Sequence, residues 1–142
     1  MLLDQQELLS DAQALTATAV STNKYDTGMA SSKFGAGKAI GIGFFVEVAA
    51  DFTTTDETYT FALCSDGDAA LGSPTVHESR AILAATLVAG YKFFMALDPN
   101  ADCERYIGAR YTLAGTTPTL TITSALMTYE AFTAWKAYPN AY

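Results

Sequence analysis

Charge is scarce in this chain. Only 16% of its 142 residues are Asp, Glu, Lys or Arg, against 50% apolar, whereas a soluble domain ordinarily carries about a quarter charged. So thin a charge cover suggests that a partner hides part of the surface. Basic clusters are also missing. The eight basic residues, Lys24, Lys33, Lys38, Arg80, Lys92, Arg105, Arg110 and Lys136, are scattered and the net charge is −7, which argues against phosphate contacts and hence against a nucleic-acid partner. Histidine occurs once, at His77, so the His-rich metal sites of cupin-type enzymes are excluded. No G-x-S-x-G elbow supplies a nucleophile. His77, between Val76 and Glu78, reads as a surface or interface residue, and no catalytic residue, metal or cofactor is expected. No apolar run reaches the length of a membrane span; the longest, Ile40 to Val46, contains two glycines and stops at Glu47. The start, MLLDQQELLSD, lacks the basic and apolar regions of a secretion signal. Cys64 and Cys103 have no metal-ligand spacing, and two reduced thiols in a protein made and kept inside the cell are expected.

What is present is alternation. At this length one domain with its own core is expected. Ala39 to Val48 carries Ile40, Ile42, Phe44 and Val46 on one face, and Tyr59, Phe61 and Leu63 alternate with Thr60, Ala62 and Cys64. Thr75 to Ile82, Tyr91 to Leu97, Arg105 to Leu113 and Thr119 to Tyr129 read as further strands. In the last of these the apolar phase moves from Leu120 and Ile122 to Ala125, Met127 and Tyr129, which predicts a bulge or a change of neighbour. Between strands lie turns: Tyr25 to Gly28, the small-residue loop 29–38, Asp51 to Asp56, Ser65 to Asp68 and Asp98-Pro99-Asn100. Leu83 to Gly90 reads as a tight apolar connection or a single helical turn. Seven or eight strands at regular intervals, without βαβ alternation, make the chain all-β.

Three features remain. Asp66 and Asp68 flank Gly67, but without the further acids of a calcium loop they read as an acidic turn. Tyr129, Phe132, Trp135 and Tyr138 recur every third residue, either packed on the protein's own core or offered to a partner. Residues 12–23 hold no charge at all, too apolar for a linker and too irregular for a clean strand. The Leu-rich start, with Leu2, Leu3, Leu8 and Leu9, suits a short helix or an adhesive arm over residues 1–12.

The segment SDAQALTATAVSTNKYDTG, the central AILAATLVAG and the later ERYIGARYTLAG resemble, in that order from about Leu3 to Leu126, the capsid cement (decoration) proteins of the Bordetella phage type. That resemblance implies a single jelly-roll-like antiparallel β-sandwich with extended N-terminal and C-terminal segments, the latter covering residues 130–142. It implies a structural virion protein on the outer surface of an HK97-type icosahedral capsid, assembled in the host cytoplasm, that stabilises capsomer junctions. Its partners would be the major capsid protein and itself, as a homodimer or homotrimer on a local axis, with no nucleic acid and no membrane. Leu2, Leu3, Leu8, Leu9, Leu15 and Val20 are then the expected contact layer, with Phe132, Trp135 and Tyr138 at a subunit boundary. The alternative is a tail- or fibre-associated jelly roll that binds host glycans through its aromatic residues.

Overall fold

Period-two alternation buries one face of a strand and calls for a second sheet to cover it. The computed structural model describes residues 7–34 and 40–134. Within them the chain runs β1 (Leu8–Leu15), β2 (Ala19–Val20), β3 (Tyr25–Asp26), β4 (Ile40–Val48), β5 (Thr58–Asp66), β6 (Thr75–Ile82), a 3-10 turn (Ala84–Thr86), β7 (Lys92–Ala96), β8 (Tyr106–Ala114), β9 (Leu120–Thr128) and helix α1 (Tyr129–Ala134). One sheet has the order β1-β9-β4-β7; the other has β2-β8-β5-β6, with β3 also paired to β8. Every pairing is antiparallel. With β2 and β3 taken as one interrupted strand, the pairs β1·β9, β2/β3·β8, β4·β7 and β5·β6 are successive rungs of one long hairpin. Rolled over on itself, that hairpin is a jelly roll, as expected.

The core lies between the sheets. Ile42, Phe44 and Val46 of β4 face Tyr59, Phe61 and Leu63 of β5 and Ile107, Ala109 and Tyr111 of β8, all buried. Phe44 stacks on Phe93 at 4.7 Å between centroids, and Phe61 meets Phe93 edge-on at 5.0 Å. One polar group sits among them. The Tyr111 hydroxyl, fully buried, bonds Ser10 Oγ at 2.8 Å and Ser124 Oγ at 2.7 Å, tying β8 of one sheet to β1 and β9 of the other. Burial pushes its pKa up to about 12 because the phenolate would lose its hydration.

Three sequence expectations change here. β9 has no break in phase: Leu120, Ile122 and Leu126 belong to the core and Ser124 joins the Tyr111 network. Ala125 and Met127 are apolar because the opposite face is covered as well. There they form a second cluster with Leu8 and Phe45, against which Phe94, Ala131 and Phe132 pack. α1 lies over this cluster, and Gly43 is the residue that lets it approach: a Cβ there would stand 2.7 Å from Met127 Sδ and 3.1 Å from Phe132 Cδ2. The bulges lie in the partners of β9 instead, twice in β1 and once in β4 between Val46 and Val48. They also explain why the start of the chain does not read as a strand. From Leu8 on, β1 is sandwich rather than arm or helix, but a bulge sends Leu9 and Ser10 both inward, and Ala12 takes a φ of +46°. Tyr25 and Asp26, expected in a turn, instead pair with Ile107 and Tyr106.

The two sides of the sandwich differ. On the β1 side, Asn23 N–H donates to the Leu9 carbonyl at 2.8 Å, Gln13 Nε2 donates to the Val20 carbonyl at 3.0 Å, and Thr22 N–H donates to Gln13 Oε1 at 3.0 Å. The uncharged stretch after Asp11 is this crossing from one sheet to the other. On the far side β6 and β7 are the edges, and no residue of β6 is buried.

Candidate interaction surface

The two ends of the roll differ in chemistry. One end is charged. Arg105 there forms a two-pronged bond with Asp26 (2.9 and 3.0 Å), and Lys33 pairs with Asp102 at 2.9 Å. Asp66 accepts the Asp68 and Ser73 N–H groups, and Asp68 accepts that of Ala70, so both carboxylates close turns, as the sequence suggested. His77 sits at this end too, at a bulge in β6. Its Nε2 is 2.7 Å from Ser65 Oγ, and Ser65 in turn accepts the Glu104 N–H at 2.9 Å. The trio resembles a nucleophile, a base and an acid in composition only. Ser65 is fully buried, and the Glu104 carboxylate accepts from Gly67 N–H and the Thr75 hydroxyl. Burial lowers the pKa of His77, so a neutral ring completes a structural network.

The other end is built from residues 49–57 (β4 to β5), 83–91 (β6 to β7) and 115–119 (β8 to β9), with residues 16–18 alongside. Its composition is threonine, alanine and a few acids. Ala50 N–H donates to the Leu87 carbonyl at 2.9 Å and Asp51 N–H to the Thr119 carbonyl at 3.0 Å. The Tyr59 hydroxyl donates to the Asp51 carbonyl at 2.5 Å and accepts the Thr119 N–H at 3.1 Å. Asp56 accepts the Thr54 hydroxyl and both the N–H and hydroxyl of Thr116. Glu57 accepts the hydroxyls of Thr54 and Thr117. These hydroxyl donors, Thr54 foremost, hold the carboxyls of Asp56 and Glu57 below the usual range, as Thr53 does for Asp51. The network also keeps Thr55 at a φ of +62°, a conformation β-branched residues rarely accept.

Large apolar side chains project from this fixed frame: Val48, Phe52, Leu83 and Val88, each at least half exposed and Leu83 at 79%. Leu87, between the last two, turns inward and is fully buried, anchoring its loop to the core. The charged residues of these loops are all acidic: Asp51, Asp56 and Glu57. Exposed apolar side chains on hydrogen-bonded loops, with acidic neighbours, suit a protein partner that offers apolar and basic groups.

The expected contact residues that the structure describes fall elsewhere. Leu9 and Leu15 are committed to the sandwich core and Leu8 to the second cluster. They are internal because β1 is a strand of the roll. Val20 is half-buried on β2 opposite Arg110, and Phe132 is half-buried on the outer cluster, with Lys92 Nζ 5.0 Å from its ring. Leu2, Leu3, Trp135 and Tyr138 lie outside the described residues. The exposed quartet was missed, although LAATLVAG, an apolar run in a connection, was the signal for Leu83 and Val88.

Among the described residues no group of His, Cys, Asp and Glu could hold a metal ion, and Cys64 and Cys103 are free and buried. No curated protein matches the chain. The model of the family named Bbp16 matches residues 9–126, from the second residue of β1 to Leu126 near the end of β9, which is the whole roll without α1. The chain belongs to the Bbp16 family, a Bordetella phage protein family.

Proposed function

We propose that this protein is a capsid cement protein, a structural virion component that binds the outside of an HK97-type icosahedral shell and clamps adjacent subunits of the major capsid protein. The observation that carries this reading is the polarity of the roll. One end gathers the ion pairs, with Met29 and Val76 exposed beside them, and the other presents Val48, Phe52, Leu83 and Val88 on hydrogen-bonded loops. Membership of a phage protein family supports it. The apolar end faces the shell and the charged end faces solvent.

The physical job needs no chemistry. Packaged genome pushes outward, and a shell yields where capsomers meet. A protein that binds the closed seam and not the opened one shifts that equilibrium by its own binding free energy. Pre-ordered loops keep the entropy loss on docking small, and repetition over the shell keeps single contacts of modest area sufficient.

Co-sedimentation with empty expanded shells tests the orientation. Phe52→Ser combined with Leu83→Ser should leave the fold intact, since both side chains are exposed, and should weaken binding roughly a hundredfold, the loss typical of two apolar anchors. Unchanged binding by the double variant would reject this end as the contact.

A further inference from the structure

Glu57 is the one acid of the apolar end that is buried, at 7% exposure, although Asp56 before it and Thr58 after it are exposed. Its carboxylate is satisfied on one side only. Oε1 accepts the hydroxyls of Thr54 and Thr117 and, at 3.4 Å, the Thr54 N–H. Oε2 is buried without a hydrogen-bond partner among the described residues. A buried carboxylate oxygen left bare is costly, because it has lost the water that solvates it in the unfolded chain. Glu57 also lines a pocket of about 140 Å³, which it shares with Tyr59 of β5 and with Ala81, Ile82, Leu83 and Ala84. Thr54 and Thr117 are not part of that lining, so Oε1 is turned away from the pocket and Oε2 is the oxygen on its side. Among the described residues no basic side chain lines it.

We infer that this pocket is a socket for a lysine side chain of the shell protein, whose ammonium donates to Glu57 Oε2. The inference rests on the capsid reading, which turns this end, with Leu83 on the pocket's rim, toward the shell. Three features select the ligand. The bare oxygen belongs to a carboxylate, which calls for a cation. A guanidinium grips a carboxylate through both oxygens, and Oε1 is already taken, so a point-like ammonium fits better. A metal ion wants several oxygen ligands, and among the described residues no group of His, Cys, Asp and Glu could supply them. The alkyl stem of the lysine lies along Ala81, Ile82, Leu83 and Ala84, as such stems do on apolar surface. At about 30 Å³ per water-sized group, the pocket has room for the ammonium and the methylenes next to it. Seating it takes a small turn of the carboxylate about its last torsion, which is soft, and the threonine hydroxyls on Oε1 can rotate with it.

Two arms separate the socket from the capsid reading. In the first, n-butylammonium chloride is titrated into the protein alone and backbone amides are followed by NMR. Saturable shifts at Glu57, Tyr59, Ile82 and Ala84 are expected. Tetramethylammonium chloride at equal ionic strength, which has the charge but no N–H, should give no saturable shift there, and n-butanol should bind about tenfold more weakly or worse. Glu57→Gln keeps the shape, removes the charge and should abolish the preference for the amine over the alcohol. Ala81→Trp, at an exposed position that leaves the Glu57 hydrogen bonds in place, should block the pocket to both. In the second arm, co-sedimentation with expanded shells, Glu57→Gln should weaken binding about tenfold or more. Acetylating the shell lysines should weaken the wild type by more than it weakens the variant, which has already lost that contact. Butylammonium shifts that are absent, that tetramethylammonium reproduces or that persist unchanged in Glu57→Gln would overturn the socket, as would Glu57→Gln binding shells like wild type. Butylammonium shifts as expected, with shells that bind neither wild type nor variant, would overturn the shell as the source of the lysine and the capsid reading with it, while the ammonium site stands.

Discussion

Replacing Tyr111 by Phe removes one oxygen atom from the middle of the sandwich and leaves the ring in place. That oxygen joins Ser10 at 2.8 Å and Ser124 at 2.7 Å. Ser10 keeps a second bond, donated to Gln13 Oε1 at 2.7 Å, so its loss is small. Ser124, fully buried, is left without a partner among the described residues. A lost buried hydrogen bond costs about 1 kcal/mol net, and an orphaned hydroxyl adds about 1 kcal/mol or more. The expected loss is therefore about 2 kcal/mol, measured as a lower urea midpoint at unchanged slope. Adding Ser124→Ala removes the orphan. Tyr111→Phe/Ser124→Ala should then be less destabilised than the sum of the two single variants, by about 1 kcal/mol. A Tyr111→Phe protein within about 0.5 kcal/mol of wild type, or strictly additive variants, would show that the network does not hold the sheets together.

Two further outcomes follow from the same structure. Gly115→Ala should cost about 2–3 kcal/mol in the same denaturation assay, because φ is +111° and the new Cβ would lie 2.6 Å from Glu57 Cα and 2.7 Å from the Asp56 carbonyl oxygen. Stability should also fall at high pH. Burial raises Cys64 from 9.0 to about 11 and Tyr111 from 10.0 to about 12, so the folded state favours the protonated forms. Their contribution is complete below pH 9 and lost as pH rises through about 12. Thermal melts in steps from pH 8 upward should show the decline, and Tyr111→Phe should flatten its upper part.

The strands that bury one face were legible in the sequence. β4, β5 and β8 alternate cleanly because one side meets the core. β9 misled because α1 covers its second face, so Ala125 and Met127 are apolar for a different reason from Leu120 and Ile122, while the one polar residue on the inner face, Ser124, is satisfied by a tyrosine 13 residues away in sequence. β1 was illegible because bulges break its period. The uncharged stretch after Asp11 has something to lie against, as its composition demanded, and that is the protein's own seam. The proposed interaction surface was harder still. Leu83 and Val88 stand exposed while Leu87 between them is buried, and no periodicity distinguishes the three in a loop. What placed them was the set of threonine and carboxylate hydrogen bonds that fixes the neighbouring loops, a tertiary property.

The most direct measurement is imaging of empty expanded shells, built from the cognate major capsid protein alone, after incubation with this protein. The account predicts saturable density at fixed sites on the outer surface, with the Phe52 and Leu83 end inward, and shells that rupture at higher temperature than undecorated ones. Bare shells at saturating protein, or binding to a glycan array with no shell association, would contradict it.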